Sequence, residues 1–354
     1  MTLKPQNSAK KSVYFYSNIL FIDYEEEGLE KIKRKIYDAC SKELTMSSDK
    51  NSDLYIIHTA GFSEFAKKWL FGPRKAKAIV SLHSDPNPPF FDILWSNIQY
   101  FRYFYSSSMD IFPFYNRIFF TVVNQAVSLV PLWMKRFFLN KTEILTVPSK
   151  TLLTKFPKAI VIHDGIDTNR FKPLPSKRST IAVGYVGHPT PNKGLIEVLK
   201  AFSKIKDANL TKVAALSYLN KKMISTVHKF DTSTEVLGRQ KDIVKLYNDI
   251  DIVVLPYRHT SGGVATPLVL LEAMSCGCTV ITSDLPSIRE IGGDTVLYCK
   301  PYDIDSIVSM IHHATKHPEL RKKLGQAARK RVVELYNEEK MLKSYMDLYR
   351  GELN

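Results

Sequence analysis

One segment, DIVVLPYRHTSGGVATPLVLLEAMSCGCTVITSDLPSIREI at 251–291, constrains the fold more than any other part of this 354-residue chain. Its apolar run Ile252–Leu255 predicts a buried strand, and a serine and two glycines follow at 261–263. A proline then opens a helix at 268–274, because proline is tolerated at a first helical position. A second buried strand is predicted at 279–282. A strand, a glycine loop and a helix N-terminus present free backbone N–H groups, so the segment predicts a site for an anion.

Strands and helices alternate along the rest of the chain. We predict strands at 13–16, 54–58, 78–83, 144–147, 159–163, 181–186, 212–217, 234–237 and 295–298, and helices at 28–40, 194–204, 240–249, 286–291 and 303–315. This alternation predicts an α/β chain with parallel sheets and right-handed crossovers. The length allows two domains, and the Pro- and Lys-rich stretch FKPLPSKRS at 171–179 is the predicted linker.

Five stretches accompany the 251–291 segment in order along the chain. They are DLYIIHTAG at 53–61, AIVSLHSD at 78–85, KAIVIHDGIDTNRFKP at 158–173, VGYVGHPTPNKGLIEVLKAF at 183–202 and ELYNEEKMLKSYMDLY at 334–349. Together they resemble the retaining glycosyltransferases of family 4, more strongly in the second half, although Asp164 stands where the family usually has Asn. The resemblance implies a GT-B fold, in which two Rossmann-like parallel-sheet domains face each other across a cleft.

The polar and basic composition of residues 1–11 predicts a disordered tail. The resemblance implies a Rossmann-like acceptor-binding domain at 12–172 and a Rossmann-like nucleotide-sugar-binding domain at 180–333. A C-terminal helix at 334–354 is expected to pack back toward the N-terminal domain.

The same resemblance assigns the core of a donor site. Glu272, in the "EAM" helix, would bind the ribose hydroxyls of a nucleotide sugar. Lys193 lies at a helix start, where backbone N–H groups also favour phosphate, and would neutralise the leaving diphosphate; the alternative is a plain surface lysine. Gly187 begins the same loop, and His188 takes the place where family members usually carry Arg.

Further donor contacts are expected around the glycine loop. Arg239 matches the place where the nucleotide base rests, and Arg258 is expected to reach the diphosphate. The largest departure from the family is Val264, eight residues before Glu272, where a second Glu is usual. The backbone N–H groups of Gly262, Gly263 and Val264 are expected to hold the sugar or a phosphate instead.

On the acceptor side, His83 ends a predicted strand, and Asp85 lies in the turn that follows it. Residues at the carboxyl ends of strands line the crevice of open α/β sheets. By resemblance His83 would approach the transferred sugar, and Asp85 would be an acceptor-side base. A structural role for the histidine is the alternative.

The net charge of +15 predicts anionic partners. The excess is divided almost equally between residues 1–175 and 176–354, which favours a membrane surface and a phosphate-bearing substrate over nucleic acid. No zinc pattern or clustered basic helix supports a nucleic-acid-binding protein. The stretch 90–138 is rich in aromatic residues, and two interpretations stay open: core helices, or an interfacial surface with Trp and Tyr at headgroup level.

These features together predict a retaining, metal-independent glycosyltransferase that uses a nucleotide-diphosphate sugar and needs no cofactor. The predicted acceptor is a glycan or a lipid-linked glycan. Four cysteines and no hydrophobic leader predict a cytoplasmic chain. The basic charge and the aromatic stretch at 90–138 favour a peripheral position at the cytoplasmic face of the membrane. The substitutions His188 and Val264 leave one alternative, a catalytically weak relative that acts as a binding or partner subunit.

Overall fold

The computed structural model describes two parallel six-stranded sheets. The described residues are 12–16, 29–47, 52–59, 77–83, 90–103, 126, 129–175, 180–258 and 266–353. The predicted tail at 1–11 lies outside them. Both sheets carry helices, as the alternation of strands and helices predicts.

The first sheet has the strand order β2-β1-β3-β4-β5-β6, and all its pairings are parallel. Its strands are β1 Ser12–Tyr16, β2 Thr45–Met46, β3 Leu54–Thr59, β4 Lys77–Leu82, β5 Ile144–Val147 and β6 Ile160–Val161. The helices of this part are α1 Leu29–Glu43, α2 Phe90–Tyr103 and α3 Leu132–Leu139, with a 3₁₀ turn at Lys150–Thr154.

The second sheet has the order β12-β11-β10-β7-β8-β9, again all parallel. Its strands are β7 Ile181–Gly187, β8 Leu210–Leu216, β9 Glu235–Leu237, β10 Ile252–Leu255, β11 Thr279–Ser283 and β12 Leu297–Cys299. The helices are α4 Leu195–Lys204, α5 Lys221–Phe230, α6 Ile243–Asn248, α7 Leu268–Ser275, α8 Pro286–Gly292, α9 Ile304–Lys316, α10 Pro318–Leu335 and α11 Glu338–Leu353.

Apolar side chains fill both faces of each sheet, as expected for parallel strands covered by helices. All four residues of β10 are buried, which explains why its sequence is a continuous apolar run. The last helix, α11, leaves the second sheet and packs Met341, Tyr345 and Tyr349 onto the first.

Between α10 and α11 the backbone contacts residues 162–175 (the joining segment), which lie between the two sheets in the chain. The N–H of Ile166 donates to the carbonyl of Tyr336 at 2.9 Å, and the N–H of Glu338 donates to the carbonyl of Ile166 at 2.9 Å. A Cβ on Gly165 would lie 2.7 Å from the Asn337 oxygen. The helix that the 334–349 motif indicates is therefore divided between α10 and α11.

Candidate active site

A cavity of about 710 Å³ lies at the carboxyl ends of β7, β8, β9 and β10. This is where open α/β sheets bind ligands. Its lining includes a basic set from both halves of the chain: Lys31, Arg170, Lys193, Arg239 and Lys241. Among the predicted donor residues, Gly187, His188, Lys193, Arg239 and Glu272 all line this cavity.

The loop after β7 is fixed by hydrogen bonds. Tyr185 donates its hydroxyl to the carbonyl of His188 at 2.6 Å, and Nδ1 of His188 lies 2.8 Å from Oγ of Ser217. Gly187 has a φ of +147°, a conformation that favours glycine. The imidazole of His188 is thus held at the wall of the cavity by the end of the neighbouring strand.

Lys193 ends a 3₁₀ turn, Pro191–Lys193, immediately before α4. Gly194 follows with a φ of +81°, and a Cβ there would lie 2.1 Å from the carbonyl oxygen of Pro256. Only glycine lets the start of α4 approach the end of β10 this closely. Nζ of Lys193 lies 5.3 Å from the centroid of the Tyr257 ring, and burial lowers the pKa of this ammonium to about 8.

Glu272 lies in the second turn of α7, and its half-buried carboxylate faces the cavity. Burial raises the pKa of this carboxyl. The hydroxyl of Tyr247, which donates to Oε2 at 2.8 Å, opposes that rise, and so do the positive charges of Lys31 and Arg170. The carboxylate therefore has one fixed donor and capacity to accept further hydrogen bonds from a ligand.

The structure does not bring Arg258 to the cavity lining. Its guanidinium pairs with Glu197, with Nη1 at 2.6 Å from Oε1, and lies between the rings of Trp95 and Tyr302. Gly262, Gly263 and Val264 lie outside the described residues, and so does Asp85.

His83 is fully buried and is not among the residues that line the cavity. Its Nδ1 lies 2.8 Å from Oδ1 of Asp164, its Nε2 lies 2.9 Å from Nδ1 of His58, and Nε2 of His58 lies 2.9 Å from the Tyr349 hydroxyl. Both ring nitrogens are thus engaged within the protein. In this arrangement His83 joins the first sheet to the joining segment, and His58 joins the first sheet to α11.

Several lining residues were not predicted from the sequence. Tyr247 and Tyr257 carry no motif, and their proximity to Glu272 and Lys193 depends on how α6 and β10 pack. Lys31, in α1, and Arg170, in the joining segment, line the cavity together with Glu272 of α7, and no sequence spacing indicates this proximity. Among the described residues, no group of three or more His, Cys, Asp or Glu side chains is arranged to hold a metal ion.

Comparisons with known proteins find a family similarity over part of the chain. Residues 166–331 match the family model described as glycosyl transferases group 1. The N-acetyl-alpha-D-glucosaminyl L-malate synthase of Bacillus anthracis is 32% identical over 115 residues, which are 32% of this chain and 29% of that protein. The MMP alpha-(1->4)-mannosyltransferase of Mycolicibacterium hassiacum is 24% identical over 219 residues, 57% of this chain and 52% of that protein. The chain thus matches at most about half the length of these relatives.

Solved structures resemble the whole chain. HepE of Anabaena, in complex with UDP-glucose, superposes with a TM-score of 0.69 at 13% identity, over 97% of this chain and 100% of that one. The sucrose-phosphate synthase of Thermosynechococcus elongatus gives 0.61 at 17% identity, over 90% of this chain and 77% of that one. At such identities the likeness shows the fold alone, and that fold is GT-B.

Proposed function

We propose that this chain, whose residues 166–331 form a group 1 glycosyl transferase domain, moves a sugar from a nucleotide-diphosphate sugar to an acceptor hydroxyl with retention of configuration. One observation carries the proposal. Lys193 and Glu272, 79 positions apart in the sequence, line the same cavity at the carboxyl ends of four parallel strands. A cation for a diphosphate and a carboxylate for a ribose are the two groups that such a donor needs.

The cavity suits the donor in size and charge. Its volume of about 710 Å³ lies within the usual range for small-molecule sites. Glu272 accepts the ribose hydroxyls, while Lys193 and the N-terminus of α4 face the diphosphate. UDP-glucose is bound by the structural relative HepE and is therefore the first donor to test.

The reaction breaks the bond between the anomeric carbon and the diphosphate oxygen, which takes the electron pair. The acceptor oxygen bonds to that carbon and releases its proton. Charge grows on the diphosphate toward the transition state, so Lys193 stabilises that state more than the bound donor. We infer that no metal ion is needed, because this side chain and the helix dipole supply the positive charge. Asp85 remains the predicted base for the acceptor.

A membrane surface is the proposed location of the acceptor, a glycan or lipid-linked glycan. Leu129, Trp133 and Phe137 recur every four residues around α3, and their side chains are 68%, 67% and 54% exposed. Nζ of Lys141 lies 4.4 Å above the Phe137 ring. An exposed aromatic face with a lysine beside it suits the headgroup region of anionic lipids. Within the described residues, no helix is long and apolar enough to span a bilayer.

The proposal is tested first by binding. Thermal-shift measurements against a panel of nucleotide sugars that includes UDP-glucose should identify a donor, because ligand at 100 times its dissociation constant stabilises by about 2.7 kcal/mol. Glu272→Ala should weaken nucleotide binding by roughly 2 kcal/mol, since a charged acceptor loses its ribose hydrogen bonds. No stabilisation by any donor would contradict the proposal.

Turnover is measured next with the donor that binds. Hydrolysis of the donor in the absence of an acceptor, even at a slow rate, distinguishes an active transferase from a catalytically weak binding subunit. NMR of the product anomeric proton reports retention, and activity in excess EDTA reports metal independence. An inverted product or loss of activity in EDTA would overturn the corresponding part of the mechanism.

A further inference from the structure

Arg258 lies between two aromatic rings from distant parts of the chain. Its guanidinium carbon is 3.2 Å from the ring centroid of Trp95, in α2, and 4.0 Å from that of Tyr302. The side chain is 14% exposed. A planar guanidinium stacks on aromatic faces in a way that a lysine ammonium does not.

The same guanidinium neutralises a buried carboxylate. Nη1 of Arg258 donates to Oε1 of Glu197 at 2.6 Å, and the Glu197 side chain is 7% exposed. Oε2 of Glu197 has no hydrogen-bond partner within the described residues. Glu197 lies in the first turn of α4, four residues after Lys193. The ion pair therefore ties Arg258 to the helix that begins at the phosphate-facing lysine.

The backbone of Arg258 is held on both sides. Its N–H donates to the carbonyl of Asn192 at 3.1 Å, and its carbonyl accepts the Tyr302 hydroxyl at 2.9 Å. Tyr302 has a φ of +65°, the only positive φ of a residue other than glycine in the described chain. Such backbone strain persists only where surrounding contacts hold it.

Helix α2 follows a strand of the first sheet but packs on the second. Oγ1 of Thr226, in α5, donates to the carbonyl of Tyr103 at 3.0 Å, and the rings of Tyr103 and Phe230 lie 6.2 Å apart. Trp95 thus reaches Arg258 from the opposite half of the molecule.

We propose that Arg258 is a positioning residue: by stacking on Trp95, it holds α2 against the turn that carries Lys193. We call this contact between Arg258 and Trp95 the latch. The consequence for turnover rests on the proposed transferase function. The latch itself is a property of the free protein. It holds the two halves of the molecule together beside Lys193, whose ammonium is proposed to bind the diphosphate.

A double-mutant cycle on the free full-length protein tests the latch. Trp95→Leu removes the aromatic face, and Arg258→Lys keeps the charge that Glu197 needs, so both variants should fold. We expect each to lower the urea midpoint and the double variant to lower it no further than the worse single one. Additive shifts would show that the two side chains are not coupled and would overturn the proposal.

Turnover with UDP-glucose, or with the panel donor that binds, tests the consequence. Trp95→Leu and Arg258→Lys should each lower kcat about tenfold with little change in donor KM, since displacement of a catalytic group costs rate. Trp95→Phe, which keeps a ring, should retain most of kcat. Equal kcat in Trp95→Leu and Trp95→Phe, or a raised KM with unchanged kcat in Arg258→Lys, would overturn the proposal; the second result would make Arg258 a donor ligand.

A second arginine offers a matched control. Arg289 pairs with Asp284 and stacks on Tyr298 at 4.5 Å, but it lies outside the cavity lining and away from α2. Arg289→Lys and Tyr298→Leu should leave kcat unchanged. If the parent protein binds no donor, the proposed function fails, whereas the urea cycle still decides the latch.

Discussion

The hydroxyl of Tyr247 donates a 2.8 Å hydrogen bond to Oε2 of Glu272 at the wall of the cavity. Burial raises the pKa of the Glu272 carboxyl, and this hydrogen bond is the largest influence that lowers it. The Tyr247 hydrogen bond therefore favours the carboxylate that the ribose needs, whereas burial favours the neutral acid. Stability and donor binding make opposite demands on this one side chain.

Glu272→Gln should stabilise the free protein while weakening nucleotide binding. Because the folded-state pKa of Glu272 is raised, its contribution to stability is greatest below the unfolded value and is lost as pH rises through the folded value. Glutamine carries no titrating proton, so the variant does not lose this stability as pH rises. Urea unfolding between pH 5 and 8 should show a variant advantage that grows with pH. A difference independent of pH would contradict this account.

Tyr247→Phe should weaken UDP binding by about 1 kcal/mol, because Glu272 loses its fixed donor and is more readily protonated. The loss, measured by calorimetry, should be larger at pH 6 than at pH 8. Tyr336→Phe is a suitable control, since the Tyr336 hydroxyl donates to the carbonyl of Glu290 outside the cavity lining. Equal effects of the two substitutions would assign Tyr247 a packing role only.

Lys193 should give the activity an alkaline limit. Its pKa is lowered by burial to about 8, so the free enzyme loses this positive charge as pH rises through that value, and kcat/KM should fall. Stability changes in the opposite sense. Because burial lowers the pKa of Lys193, the folded protein favours the neutral amine. The free energy of unfolding therefore rises with pH between about pH 8 and the usual lysine pKa of 10.5.

Lys193→Arg should remove this limit, because arginine stays charged throughout. Kinetics across pH 7 to 10 would show a flat profile in the variant, at reduced kcat. An alkaline limb that persists unchanged would mean that a different group titrates.

Gly194→Ala should destabilise the protein by about 1–3 kcal/mol or more, because a Cβ would lie 2.1 Å from the Pro256 oxygen at a φ of +81°. Gly351→Ala is the matched control: apart from its chain neighbours and the backbone of its own helix α11, no described atom lies within 4 Å of its Cβ position. Alanine favours a helix by roughly 0.5–1 kcal/mol over glycine, so this variant should be slightly stabilised. Similar denaturant midpoints for both variants would contradict the steric argument.

Most strands were predictable, because parallel strands buried on both faces leave continuous apolar runs such as Ile252–Leu255. Helix α5, at Lys221–Phe230, was missed, since its stretch is polar on average and its start depends on the Asn220 side chain accepting from the Met223 N–H. Lys193 and Glu272 were placed in one donor site by the family resemblance of their motifs, and Lys193 also by its position at a helix start, where backbone N–H groups favour phosphate.

Sequence patterns indicate less wherever a residue's role depends on packing between the two halves. His83 was expected to end its strand, but β4 ends at Leu82, and the buried imidazole that follows lies 2.8 Å from Oδ1 of Asp164. Arg258 follows a strand of the donor site, yet Trp95 and Glu197 hold it outside the cavity lining. No spacing pattern reports such contacts, because they join elements that are far apart in the chain.

The membrane proposal makes the last prediction. Vesicles that contain anionic lipid should bind the protein, and added salt should weaken binding, since exposed charges are screened beyond about 8 Å at physiological ionic strength. Trp133→Ser with Phe137→Ser should lower vesicle affinity by about tenfold, because the inserted apolar area is lost. Both side chains are more than half exposed, so the urea midpoint should not change. Leu335→Ser, at a 45% exposed site on α10, is the control and should bind as the parent does. If the parent protein does not bind anionic vesicles, the membrane proposal is wrong. The acceptor would then be a soluble glycan, and α3 would have no part in binding it.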